Sequence, residues 1–145
     1  MIRGMQIDDY EEVYNLWLSC KGMGLNNLDD SKEGIAAFLK RNPTTCFVVV
    51  EQEKIIGTII SGHDGRRGYI YHTAVSPIHR HKGIGTQLVE HALAALQNEG
   101  INKVGMLVFK KNVNGNTFWE AKGFDAREDV LYRNKQLTDI VRIDT

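Results

Sequence analysis

The 145-residue chain contains no apolar run near the roughly 20 residues that a membrane-spanning helix needs. Cysteine is scarce: Cys20 and Cys46 stand alone in no metal-binding spacing and read as reduced, buried thiols that behave as small apolar residues. Proline occurs twice, at Pro43 and Pro77, and there is no repeat, low-complexity stretch or linker. Neither sign of charge is in excess, because 18 Lys and Arg balance 18 Asp and Glu. That balance argues against a general nucleic-acid binder or a membrane-surface protein. The opening Met1-Ile2-Arg3-Gly4-Met5-Gln6 lacks the apolar stretch of a secretory signal, so the cytoplasm is the expected location.

What is present is an ordinary globular composition, 42% apolar and 25% charged, in a length that suits one domain over residues 1–145. Residues 1–7 read as a strand, and Asp8-Asp9 offers a cap to a helix whose Val13, Leu16, Trp17 and Cys20 share one face. Gly22, Gly24 and Asn26-Asn27 break it. Asp30 with Glu33 resembles a capping box opening a second helix with Ile35, Phe38 and Leu39. Three strands follow, at Cys46 to Val50, Ile55 to Ile60 and Tyr69 to Val75, with Asp64-Gly65 as a hairpin turn. Their short connections predict an antiparallel meander, which Ser76-Pro77 stops. Leu88, Val89, Ala92, Leu93 and Leu96 then make a long amphipathic helix closed by Gly100. A strand from Lys103 to Phe109 returns parallel to its predecessor, and a short helix runs from about Asn114 to Lys122. Asp125–Ala126 and Val130–Arg133 are expected as small final strands. The class is α+β, on a mixed sheet.

Chemistry concentrates between Pro77 and the long helix. His79, Arg80, His81 and Lys82 lead into Gly83-Ile84-Gly85-Thr86. The first N–H groups of a helix are unpaired and carry partial positive charge, and glycines let a ligand approach the backbone closely. Together these features describe a phosphate cradle. The P-loop pattern is missing, and the dinucleotide fingerprint fails at Leu88, where it needs a third glycine.

In this segment the sequence closely resembles the GNAT superfamily of N-acetyltransferases. The family signature Arg/Gln-x-x-Gly-x-Gly/Ala appears as Arg80-His81-Lys82-Gly83-Ile84-Gly85, preceded by Thr73-Ala74-Val75-Ser76-Pro77. A second block appears as Asn112 followed by Trp119-Glu120-Ala121-Lys122-Gly123-Phe124. The two blocks stand in register, and the resemblance covers about the whole chain. It implies a sheet splayed between the fourth and fifth strands, with the pantetheine arm of acetyl-CoA against Ala74 and Val75. The pyrophosphate would lie on the amides of residues 81–86, covering His81, Lys82, Gly83, Ile84, Gly85 and Thr86, and Asn112 would bond the pantetheine. Arg66, Arg67, Lys110 and Lys111 are available to the nucleotide phosphate, although solvated surface charge is the simpler reading of each.

The implied reaction is direct attack of an amine on the acetyl-CoA thioester. A lysine-like amine with a pKa of about 10.4 is mostly protonated near neutrality, so losing the proton costs on the order of 4–5 kcal/mol and a base helps. Tyr69, Tyr71, His72, His63 and Asp64 are candidates, with Tyr71 and His72 preferred. Alternation puts Tyr69, Tyr71 and Thr73 on one face and Ile70, His72 and Ala74 on the other, unless a bulge intervenes. A backbone N–H around Val75 could bind the oxyanion. Many family members place a tyrosine acid where this chain has Trp119, and indole cannot protonate a thiolate. Tyr71 or Tyr132 is the alternative donor, and Trp119 packs against the cofactor arm or in the core.

The acceptor side is expected around Trp17, Met23, Asn26, Asn27, Asp29 and Asp30, an acidic, amide-rich rim suited to a cationic amine; the acceptor, a small amine or a protein amine, is not specified. A His79–His81 metal pair lacks further ligands, so no metal is expected. A homodimer through the last strand or the outer helices would suit such a fold. The alternative function is a non-catalytic acyl-CoA-binding or sensing module of the same fold.

Overall fold

The computed structural model describes residues 1–143. Five strands form one sheet in the order β1-β2-β3-β4-β5: Ile2–Gly4, Phe47–Glu51, Lys54–His63, Gly68–Val75 and Val104–Met106. The first four pair antiparallel, as short connections require, and β5 pairs parallel to β4 after a helical crossover. Helices α1 (Tyr10–Leu18) and α2 (Lys32–Arg41) precede β2, α3 (Ile84–Asn98) links β4 to β5, and α4 (Val113–Ala121) follows.

Each face of the sheet has its own apolar core. On one, Val13, Leu16 and Trp17 of α1 and Ile35 of α2 meet Val48, Ile60 and Ala74. On the other, Leu88, Val89 and Ala92 of α3 and Trp119 of α4 meet Val49, Ile56, Ile59 and Ile70. Helix α3 lies close because β3 presents Gly57, where a Cβ would come within 3.1 Å of Ile84 and 3.2 Å of Leu88. That approach fixes the N-terminal end of α3 against the sheet.

Three local expectations change. The cap of α2 is Ser31, whose Oγ accepts from the Gly34 amide at 3.0 Å, so Asp30 is released from capping and its side chain is buried. Asp9 does not cap α1 either. It accepts from the Gln6 amide and pairs with Arg3 at 2.8 Å, closing the 3-10 turn before the helix. Finally, residues 125–126 and 130–133 form no strand. The C-terminal segment instead runs irregularly to the α1–α2 loop, where Asn26 bridges Arg142 and the Ile143 amide donates to the Leu25 carbonyl at 3.0 Å.

Candidate active site

Strand β4 carries two irregularities that together open the site. Its parallel pairing with β5 covers only Gly68 to Ile70, so the stretch from Tyr71 to Val75 splays from the last strand. Its register with β3 also slips: Ile59 faces Thr73 while Ser61 faces Ile70, leaving Tyr71 and His72 together opposite Ile60. Such a bulge puts two consecutive side chains on one face. Tyr71 stacks edge-on with Phe38 of α2, and His72 with Trp17 of α1, so both point toward the first two helices. Ala74 follows them into that core, whereas Ile70 belongs to the opposite one. The simple alternation expected from the sequence is therefore broken at this point.

The splay forms one edge of a cleft of ≈ 1320 Å³. At one end lies the basic glycine loop. Gly83 caps α3 in the left-handed conformation, φ +81°, with no side-chain cap and no acidic residue in the first turn. The leading amides of α3 therefore keep their partial positive charge for a ligand. His79, Arg80, His81, Gly83, Ile84, Gly85 and Thr86 line this end, whereas the exposed Lys82 does not. The Arg80 guanidinium folds back, its Nε donating to the Val75 carbonyl at 3.3 Å and its Nη2 meeting the Cys20 thiol at 3.5 Å. Because that carbonyl points to the splayed edge, antiparallel alternation sends the Val75 N–H the same way. Two buried polar atoms on the cleft wall, Thr73 Oγ1 and His79 Nδ1, have no partner within the described chain.

The middle of the cleft holds His72. Its Nε2 lies 2.7 Å from Asp30 Oδ1, and the two side chains are only 14% and 6% exposed. Asp30 Oδ2 accepts the Asn26 amide at 2.9 Å, and its backbone carbonyl accepts the Tyr10 hydroxyl at 2.6 Å, so the carboxylate is anchored from both sides. Trp17 fixes the imidazole plane edge-on at 4.9 Å. An ionised carboxylate only accepts, so a neutral His72 carries its proton on Nε2 and its lone pair on Nδ1. Among the described residues Nδ1 has no partner, and it is not sealed from solvent, so it faces the cleft that His72 lines. Sequence reasoning named His72 but missed its partner. The signal was Ser31: as good a cap as Asp30, it could take the end of α2 and leave the acid for another role.

Other candidates fall in different places. Asn112 lines the cleft and caps α4, its Oδ1 accepting the Gly115 amide at 2.9 Å. Ala74 and Val75 line the splayed edge. Trp119 is 8% exposed and packed edge-on between Phe118 and Phe124, at 5.0 and 5.2 Å, as a core residue that touches the cleft wall. Tyr71 is half exposed, and its phenol is pushed above the usual range by burial and then by nearby Tyr132 and Asp29. His63 and Asp64 serve the β3–β4 hairpin, accepting its backbone amides, and do not line the cleft. Among the described residues, no three ligating side chains gather as for a metal ion, and no helix is long and apolar enough to cross a membrane.

A splayed β4, a glycine loop opening α3 and a cleft between them define an acyl-CoA transferase architecture. Residues 10–124 match the family model described as acetyltransferase (GNAT) family. An acetyltransferase of Photorhabdus laumondii is 30% identical over 140 residues, covering 95% of this chain and 96% of its own. One of Sodalis glossinidius is 29% identical over 138 residues, with the same coverage of 95% and 96%. Among solved structures, the PaiA N-acetyltransferase of Thermoplasma acidophilum in complex with coenzyme A superposes with a TM-score of 0.77 at 18% identity, over 98% of this chain and 96% of its own. The ribosomal-protein-S18-alanine N-acetyltransferase of Escherichia coli gives 0.72 at 19% identity, over 86% and 77%. The chain belongs to the GNAT acetyltransferase family and is an acetyltransferase.

Proposed function

We propose that this protein moves the acetyl group of acetyl-CoA to a primary amine, with His72 taking the amine's proton and Asp30 holding His72 in the basic tautomer. The observation that carries the proposal is the anchored Asp30–His72 pair, presented by the β4 bulge in the middle of the cleft. The amides of the loop from His81 to Thr86 and the His79 and Arg80 side chains suit the pyrophosphate. The splayed edge at Ala74 and Val75, with the Asn112 amide nitrogen, suits the pantetheine, which supplies the activated acetyl thioester. Thr73 Oγ1 and His79 Nδ1, buried and unpartnered, support a polar ligand along this wall.

An ammonium entering the cleft gives its proton to His72 Nδ1, and the imidazolium is stabilised by Asp30. The freed nitrogen lone pair forms the N–C bond, the thioester C–S bond breaks with its electron pair leaving on sulfur, and the second proton of the attacking nitrogen passes to that thiolate, giving the neutral amide and the free thiol. The Val75 N–H is aimed at the edge where charge grows on the carbonyl oxygen. A thiol with a pKa of about 8.5 leaves readily as thiolate, and the Tyr71 phenol, pushed up by burial, is a poorer acid than that thiol. We therefore assign Tyr71 to lining the site rather than to protonating the leaving group. The two free, buried thiols suit a reducing, cytoplasmic setting.

The test is a pH–rate profile. In the wild type, kcat/KM should reach a plateau well below the amine's own pKa near 10.4. His72→Ala should lose about 10²–10³-fold in kcat, and its rate should keep climbing toward the amine's own pKa near 10.4. Asp30→Asn, which preserves shape but not charge, should fall between the two. A His72→Ala enzyme with the wild-type plateau and nearly full kcat would remove His72 from the mechanism.

A further inference from the structure

The cleft is electrically divided. Apart from His72, its basic lining consists of Lys21, His79, Arg80 and His81. Arg80 reaches Cys20, the neighbour of Lys21, so these groups gather at the loop end. The other end is aromatic. The Tyr69 and Tyr71 rings lie 4.8 Å apart, tilted by 46°, and Phe38 braces Tyr71 edge-on at 5.6 Å. Tyr132, from the C-terminal segment, lines the same end. It lies near enough to both tyrosines to add to the effect of burial in holding their phenols above the usual range, so Tyr69 and Tyr71 face the cleft uncharged. Asp29 does not line the cleft but lies close enough to raise the Tyr71 phenol, and among the described residues its carboxylate accepts only from Asn26 Nδ2, at 3.1 Å. Arg142 sits at the rim, over the Phe109 ring at 4.8 Å, and does not line the cleft.

Neutral aromatic faces attract a cation through the ring quadrupole, and a carboxylate beside them supplies the full opposite charge. The reacting nitrogen cannot be that cation, because it becomes neutral at His72. A second positive group on the same molecule can. Tyr71 and His72 are consecutive and share one face, so one alkyl chain spans the two positions.

We infer that the acceptor is an alkyl diamine or polyamine, one nitrogen reacting at His72 and the other held as ammonium among Tyr69, Tyr71 and Tyr132 beside Asp29. This inference rests on the reaction proposed above. It makes the C-terminal segment, through Tyr132, a determinant of acceptor choice.

The test uses the full chain with acetyl-CoA and compares 1,4-diaminobutane with n-butylamine, which has the same carbon chain and no second charge. Thiol release should favour the diamine by at least about 10-fold in kcat/KM. Tyr132→Leu and Asp29→Asn should each reduce that ratio several-fold. In parallel, titration calorimetry with 1,4-diaminobutane in the presence of coenzyme A should show binding that Tyr132→Leu weakens about 5–10-fold. Equal turnover of both amines would overturn the inference while leaving the His72 reaction standing. Turnover of an N-terminal tripeptide but of neither amine would overturn it in favour of a peptide acceptor. If no acceptor is turned over, the reaction itself fails, and calorimetry decides the subsite: diamine binding weakened in Tyr132→Leu upholds it, and no binding overturns it.

Discussion

At the Gly83 end of the cleft the ligand-facing groups are backbone amides supplied by one short, continuous segment, with basic side chains around them. At the Tyr71 end they are side chains of β4 and the C-terminal segment, braced from behind by α2 and the α1–α2 loop. The first end depends on main-chain geometry, which tolerates changes of neighbouring side chains. The second depends on packing between elements distant in sequence, so each contributor can change the acceptor without touching the acetyl donor. The difference matches the chemistry, because the donor is constant and only the acceptor needs to vary.

Gly83→Asp should give the largest effect on the donor end. A Cβ at Gly83 meets nothing within 4 Å, and aspartate is among the residues that tolerate the left-handed conformation, so the fold should survive. A negative charge facing the phosphates should nonetheless weaken acetyl-CoA binding at least about 100-fold by calorimetry, the size expected for a like charge in a helix-terminus anion site. Affinity close to wild type would dissolve the distinction between the ends.

A smaller effect should come from Ser31→Ala. Loss of the α2 cap should cost about 1 kcal/mol, seen as a fall of about 3 °C in the melting temperature. Because Ser31 follows Asp30, the amine KM should rise a few-fold while the acetyl-CoA dissociation constant holds. A parallel rise in both would show that the two ends are mechanically coupled.

The smallest change is expected outside both ends. Burial pushes the Cys46 thiol up to about 12. At pH 8 only about one molecule in ten thousand then carries the thiolate, so Cys46 should resist alkylation until the protein unfolds. Rapid labelling of the folded enzyme at Cys46, located by peptide mapping, would contradict the packing of that face of the sheet.

The meander, the crossover helix and the glycine loop could all be read along the chain, because each is announced by residues adjacent in sequence. Asp64-Gly65 marks the hairpin, Pro77 stops the strand, and Gly83 opens α3. The capping of α2 was read one residue early, since Asp30 and Ser31 are both good caps and only burial separates them. The final strands failed for a related reason. Val130 to Arg133 has strand-forming residues, yet tertiary contacts draw the segment toward the α1–α2 loop rather than onto β5.

By itself, the sequence determined where the candidate anion site lies: a glycine loop opening a helix after a proline-stopped strand is a local pattern, and its amides are backbone. Only the tertiary structure decided the proposed base and the acceptor surface. His72 and Asp30 are 42 residues apart, and the β4 bulge that turns His72 toward α1 is a property of strand register. Neither register nor long-range burial is written in any single segment, because both arise from how the two cores close on the sheet.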